Sequence, residues 1–152
     1  MGAKRGKKFT YDYPRPALTV DLVLATREPR PRILLIRRRA DPYAGRWALP
    51  GGFVNENEPL VAAAQRETLE ETGVEVTDLE QLYTAGDPGR DPRGWTVTVA
   101  YLVRVNAADL KPVAADDAEA VGWYPLDKLP QMAFDHAMIL ARARARITDR
   151  AP

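Results

Sequence analysis

Glu67, Glu70 and Glu71 stand at i, i+3 and i+4 within GFVNENEPLVAAAQRETLEETGV, the segment from Gly52 to Val74. A helix places all three on one face, a turn apart. Like charges at this spacing destabilise a bare helix by about 0.2–0.5 kcal/mol per pair, so something must offset the repulsion. A hard divalent cation does so: Mg²⁺ takes oxygen ligands, keeps several waters and bridges to substrate phosphates. Neighbouring arginines on a solvated acidic face do so as well, and on the glutamates alone this second explanation is the better one. The surroundings reverse that preference. Gly51-Gly52 lets the backbone turn sharply and come close to an ion, Arg66 sits beside the cluster, and Gly73 ends the helix immediately after it.

In this register the segment resembles the Nudix box, G-x5-E-x7-R-E-U-x-E-E-x-G-U, where U is a bulky apolar residue. Gly52, Glu58, Arg66, Glu67, Glu70, Glu71, Gly73 and Val74 all match, and Thr68 at the first U position is the one departure. The resemblance implies Mg²⁺, with Mn²⁺ as a substitute, held mainly by Glu67 and Glu71, with Glu70 assisting and the Gly52 carbonyl as a further ligand. It implies that Arg66 orients the glutamates by ion pairing and that Glu58 supports the helix from behind. Water then attacks phosphorus, and two phosphorylated products leave. The general base in this family is either a box glutamate or an acid outside the box. Asp116, Asp117 and Glu119 are the outside acids here, and Glu119 joins Glu67, Glu70, Glu71 and Arg66 as a catalytic candidate.

The flanks narrow the substrate. YPRPALTVDLVL, RWALPGGFV, GDPGRDPRGWTVTVAYL and FDH resemble the branch of bacterial ADP-ribose pyrophosphatases, which implies cleavage of ADP-ribose to AMP and ribose 5-phosphate. Other Nudix substrates remain alternatives: nucleoside diphosphate sugars, dinucleoside polyphosphates, and nucleoside triphosphates, oxidised or not. A non-catalytic nucleotide-sensing module is a further alternative. The complete set of glutamates counts against it, as does the room for only one helix after Pro125. Arg37, Arg39 and Arg46 surround the expected cleft, where guanidinium groups grip phosphates bidentately. Arg90 and Arg93 lie in a loop able to reach a ribose or phosphate. Trp47, Tyr13 and Trp95 are aromatic candidates for stacking on a base, of which Trp47 is carried forward with Arg37, Arg39, Arg46 and Arg90. His136 reads as a hydrogen-bond partner of a nearby strand, because a lone histidine makes no ligand cluster.

These side chains need elements to place them. Residues 17–26 and 33–36 read as strands joined in a hairpin, 47–49 as a short extended piece stopped by Pro50-Gly51-Gly52, and 74–83, 95–105 and 120–124 as further strands. Pro59 opens one helix and Gly73 closes it, while 135–147 form a second. Strands, helix, strands, helix point to an α/β fold, a Nudix-type α/β/α sandwich with a mixed β-sheet between helices. The 152 residues, 45% apolar and 28% charged, suit one globular domain at 13–150 behind a flexible basic tail at 1–12. Lysine and arginine total 22 against 21 acidic residues, a balance that argues neither for nor against an anionic partner. There is no cysteine, which excludes disulfides and thiolate metal sites and fits a cytoplasmic setting. The resemblance implies a small-molecule nucleotide as the partner, with no nucleic acid and no membrane expected, and analogy with relatives suggests a homodimer.

Overall fold

The run ALTVDLVLAT forms β1 (Ala17–Thr26), and the rest of the sheet is assembled on it. In the computed structural model, which describes residues 8–149, a seven-stranded mixed sheet lies between two helices. β1 runs parallel to β6 (Thr96–Val105) along its whole length, from Ala17 opposite Thr96 to Thr26 opposite Val105. Its other edge is shared between two strands. The first half pairs antiparallel with β4 (Gly51–Phe53), and the far end with β2 (Arg32–Arg38) through Ala25 and Ile33. β2 pairs antiparallel with β3 (Trp47–Ala48) and β7 (Ala118–Pro125), and β6 with β5 (Glu80–Ala85).

Successive side chains of a strand point to opposite faces. Val20, Leu22 and Leu24 accordingly pack against Ala63 and Ala64 of α1 (Leu60–Thr72). Val23 and Ala25 meet Ile139, Leu140 and Ala143 of α2 (His136–Thr148) on the other side. A strand covered on both faces needs a continuous apolar run, which is why β1 and β2 do not alternate in sequence. Each fully buried leucine or isoleucine here contributes about 2 kcal/mol relative to exposure. The expected α/β/α sandwich is what the chain adopts. No helix among the described residues is long and apolar enough to cross a membrane.

Three local expectations are corrected. Val74 and Val76 are buried, yet residues 74–79 are not a strand, and β5 begins only at Glu80. Their alternation reflects packing beneath α1, where the Gln65 side chain takes the carbonyl of Val76 at 3.0 Å. Pro50 interrupts the extended chain for one step only, since Gly51 and Gly52 resume as β4 instead of turning sharply. Pro59 is the N-cap of α1 and not its first-turn residue, and the first turn contains no acid. Glu58 receives the main-chain N–H of Asn55 and reaches Arg66 instead. Of the expected basic tail at 1–12, residues 1–7 lie outside the described residues.

Candidate active site

α1 is held at both ends of its acidic face. Gly73, at φ 71°, adopts the left-handed conformation that glycine tolerates best and donates its N–H to Leu69 O at 2.9 Å, closing the helix. Thr68 is fully buried and donates its hydroxyl to Ala64 O at 2.8 Å, which satisfies a polar group where the family prefers an apolar one. Ala63, Ala64 and Thr68 face inward as the spacing predicts, and Leu60 is partly covered.

The glutamates do not lie on a solvated face. Glu67 and Glu71 are 6% and 5% exposed, whereas Glu70 stays half-open. Arg66 organises this face. Its guanidinium takes Glu58 in a two-pronged pair at 2.7 and 2.9 Å, Glu67 Oε1 at 2.7 Å, Glu70 Oε2 at 3.2 Å and the Phe53 carbonyl at 3.1 Å. These bonds raise the proton affinity of Arg66 further and hold the Glu58 carboxyl below its usual range, chiefly through the Arg66 bond. Arg66→Ala removes a hub with three carboxylate partners. We expect a loss of about 2 kcal/mol of unfolding free energy in urea titration and a fall in kcat larger than the rise in KM.

Glu71 is placed differently. Gly51 donates its N–H to Glu71 Oε1 at 2.8 Å, and Glu67 presses on the next residue. A side chain at Gly52 would put Cβ 2.6 Å from the Glu67 carboxyl carbon. Burial pushes the Glu71 carboxyl well above the usual range; the Gly51 N–H opposes this, while Glu67, Asp21 and Asp117 reinforce it. Glu67 is raised too, again mainly by burial, against the pull of Arg66. Among the described residues, the acids do not already converge three at a time on one point. Instead Arg66 holds Glu67 and Glu70, and the turn into β4 holds Glu71. Two buried carboxylates of like charge, seated against main chain with no apolar contact to gain, are an oxygen donor set that suits a hard divalent cation.

Glu71, Asp21, Gly51 and Gly52 line a cavity of about 50 Å³ together with Arg38, Arg90, Arg93, Phe134 and His136. That space admits a few waters or a small ion and no nucleoside, so a nucleotide has to lie across its mouth. Several expected contacts fall elsewhere. Arg37 and Arg39 are outside the cavity lining, and Arg38 between them is in it, on the same strand face as Ile36. Arg37 pairs with Glu119 at 3.1 Å and donates to Gly45 O at 3.0 Å, so Glu119, one of the three outside acids, is engaged with an arginine that does not line the cavity. Arg39 lies against Ala118 O at 3.5 Å, and Arg46 stacks over Tyr43 with 5.2 Å to its ring centre. Trp47 is a packing residue, edge-on to Tyr124 at 4.8 Å. Arg90 does line the cavity, but its donors are committed to Asp135 at 2.7 and 2.8 Å. Trp95 and Tyr13 are exposed.

Among the charged residues lining the cavity, Arg38, Asp21 and Asp91 were not singled out from the sequence. Asp21 carried a signal, a carboxylate in the middle of an apolar strand. It is buried, accepting the Thr98 hydroxyl at 2.6 Å. His136 meets its expectation as a strand partner: its Nδ1 accepts the Leu49 N–H at 3.0 Å, and Nε2 lies 3.5 Å from Asp21 Oδ1. Burial holds the His136 imidazole below its ordinary pKa, outweighing the neighbouring Asp21 and Asp135. The unfolded chain therefore takes up the proton first, near pH 6.5. Stability is full above that pH and declines as pH falls through it, by at most about 1.4 kcal/mol per unit from this group. The His136 contribution is read as the difference in urea midpoint between the wild type and His136→Gln, and that difference should shift against the wild type as pH falls from 8 to 5.

A family model for the NUDIX domain matches residues 15–143. Over 139 residues the chain is 40% identical to an ADP-ribose pyrophosphatase from Methanocaldococcus jannaschii, covering 90% of this chain and 78% of that protein. It is 38% identical over 144 residues to the ADPR responsive transcriptional repressor NtrR of Acinetobacter baylyi, covering 91% of this chain but only 57% of the repressor. The solved NUDIX domain of Shewanella oneidensis NrtR, complexed with ADP ribose, superposes with a TM-score of 0.80 at 36% identity, covering 91% and 94% of the two chains. With the box in register on α1 and the match spanning the whole sheet, α1 and the first part of α2, the chain belongs to the NUDIX domain family.

Proposed function

We propose that the chain is a Mg²⁺-dependent hydrolase of ADP-ribose, releasing AMP and ribose 5-phosphate. The observation that carries this reading is the pair of buried carboxylates, Glu67 against Gly52 and Glu71 on the Gly51 N–H, beside a cavity lined by Glu71, Gly51 and Gly52 together with Arg38, Arg90 and Arg93. Glu67 and Glu71 would hold the ion, with the Gly52 carbonyl and Glu70 at its edge. Bound there, it would neutralise the diphosphate and lower the pKa of an attacking water.

The rest is the work of the chain itself. Glu58 fixes Arg66, and Arg66 fixes Glu67 and Glu70, so the carboxylates meet the substrate already oriented. The Gly51 N–H keeps Glu71 turned into the cavity. Val113 and Ala115 donate their N–H groups to Thr72 O and Glu71 O at 2.9 and 3.1 Å, which ties the loop bearing Asp116 and Asp117 to the end of α1. Asp117 is near enough to Glu71 to help raise its carboxyl pKa, which supports this loop as a source of the water-activating acid. The identity of the substrate rests on the pyrophosphatase relative and on the NrtR domain solved with ADP ribose.

The similarity to a repressor supports a second reading, a sensor that binds ADP-ribose without cleaving it. One experiment separates the two. The protein is incubated with Mg²⁺ and ADP-ribose, ADP-glucose, GDP-mannose, diadenosine polyphosphates and nucleoside triphosphates, and the products are identified. The hydrolase reading expects AMP and ribose 5-phosphate from ADP-ribose as the fastest reaction. Binding of ADP-ribose with no product would establish the sensor, and inorganic pyrophosphate from a triphosphate would move the specificity elsewhere in the family.

A further inference from the structure

Arg38, Arg93 and Phe134 form a unit that the carboxylate chemistry does not use. Arg38 ends β2 with its side chain in the cavity wall. The donors it commits go to neutral acceptors, Nε to Pro42 O at 2.8 Å and Nη2 to Ala40 O at 3.5 Å. The structural arginines of this chain behave otherwise: Arg30, Arg32, Arg66 and Arg90 each grip a carboxylate at 2.7–2.9 Å. Arg93 commits its Nε and Nη2 edge to the buried Asp91, which fixes the plane of the group.

Phe134 joins the two cations. The guanidinium carbons of Arg38 and Arg93 both lie 5.0 Å from its ring centre, and Phe53 packs on Arg93 at 4.8 Å. The Phe134 ring is braced in turn by Tyr43 at 4.9 Å and His136 at 5.3 Å. Its backbone sits at φ 50°, a conformation that residues with a side chain avoid unless the surroundings impose it. Two guanidinium groups sharing one ring repel each other. Burial, and after it the charge of Arg93, lower the proton affinity of Arg38, and Glu71, Asp117 and Asp91 only partly compensate. An anion with two charged centres relieves that repulsion and fits forked donors better than a single carboxylate does.

We propose that Arg38 and Arg93, braced on Phe134, are an anion clamp that receives the diphosphate of the substrate in the cavity that Glu71 also lines. The clamp rests on the reading that the substrate carries a diphosphate, and it assigns the grip to Arg38 instead of the flanking Arg37 and Arg39. Aromatic bracing keeps both cations in place before the ligand arrives, so little side-chain freedom is lost on binding.

The test uses the full chain and inorganic pyrophosphate as the probe, by titration calorimetry at low ionic strength with EDTA present. Arg38→Gln should weaken pyrophosphate binding by about ten- to a hundred-fold, and Arg38→Lys by less, since it keeps the charge and loses the fork. Phe134→Leu should weaken it several-fold by releasing both arginines. Arg30→Gln, on a remote surface pair, should bind as the wild type does. Wild-type protein that fails to bind millimolar pyrophosphate overturns the proposal, as does an Arg38→Gln that binds normally. If Arg38→Gln does not fold, wild-type affinity in both Arg38→Lys and Phe134→Leu overturns it. Failure of the substrate reading looks different: pyrophosphate binding still depends on Arg38, but ADP-ribose is not cleaved. Failure of the clamp alone leaves ADP-ribose hydrolysis in Arg38→Gln at the wild-type kcat and KM.

Discussion

Replacing Glu71 by Gln should cost roughly 10³-fold or more in kcat and at the same time stabilise the metal-free protein. Both effects have one cause. Glu71 is buried beside Glu67, with Asp21 and Asp117 near, and burial outweighs the Gly51 N–H that favours its charged form. Its folded pKa is raised, so the native state holds a proton that the unfolded chain has released. That advantage is fully present below the ordinary carboxylate pKa and is lost as pH rises from there through the raised folded value. At pH 8 the metal-free wild type therefore carries a buried charge at a cost that Gln does not incur, on the order of 2 kcal/mol, while Gln Oε1 still accepts the Gly51 N–H. Urea titrations in EDTA should place Glu71→Gln above the wild type at pH 8, with the gap closing towards pH 4. Adding Mg²⁺ should raise the wild-type melting temperature and leave the variant unmoved, because a ligand stabilises only the state that binds it. A variant that still gains stability from Mg²⁺, or turns over at a tenth of the wild-type rate, would remove Glu71 from the ion's ligands.

That coupling explains what could be read in advance. The box glutamates were legible because their spacing on a helix is a covalent fact, and a helix puts i, i+3 and i+4 together whatever the rest of the chain does. The capping glycine and the strand runs were legible for the same reason, each being a local preference that the tertiary structure agrees with. Residues 74–79 misled because burial under α1 produces the same alternation as strand pairing. Pro50-Gly51-Gly52 misled because glycines suggest a turn, whereas here they permit close approach within a sheet.

The cavity was less legible, because its residues come from segments that only the sheet brings together. Asp21 of β1, Arg38 of β2, Asp91 and Arg93 of the loop before β6, and His136 of α2 share no sequence interval. The choice of Arg37 and Arg39 over Arg38 had no local signal to correct it. Ile33 to Ile36 are buried on both faces of β2, and the pairing with β7 shifts register between Arg37 and Arg38, so alternation along the strand does not tell which arginine turns to the cavity. Arg90 shows the opposite limit. Its position near the site was foreseeable, but its commitment to Asp135, 45 residues away, was not.

Gly51→Ala and Gly52→Ala should separate folding from function, and the contrast is sharper than either result alone. A Cβ on Gly51 would fall 2.1 Å from the Val20 carbonyl oxygen and 2.9 Å from Asp21 Cα. Both are main-chain atoms of the central strand, so relief requires opening the β1–β4 ladder at Asp21. We expect Gly51→Ala to cost about 3 kcal/mol or more, as overpacking against backbone does, and to melt well below the wild type. A Cβ on Gly52 meets only the end of one side chain, the Glu67 carboxyl carbon at 2.6 Å and its oxygens at 2.7 and 2.8 Å. That end can swing aside, so the fold should survive with a loss of about 1 kcal/mol. Swinging it aside takes Glu67 off Arg66 and away from the Gly52 main chain, and kcat should fall roughly 10²-fold, the cost of misplacing a catalytic group by about 1 Å. Thermal melts and steady-state kinetics on the two variants decide the matter. Equal losses of stability would show that Gly52 is needed for the sheet and not for the site. Near-normal turnover in Gly52→Ala would show that the placement of Glu67 against this glycine is incidental to the chemistry.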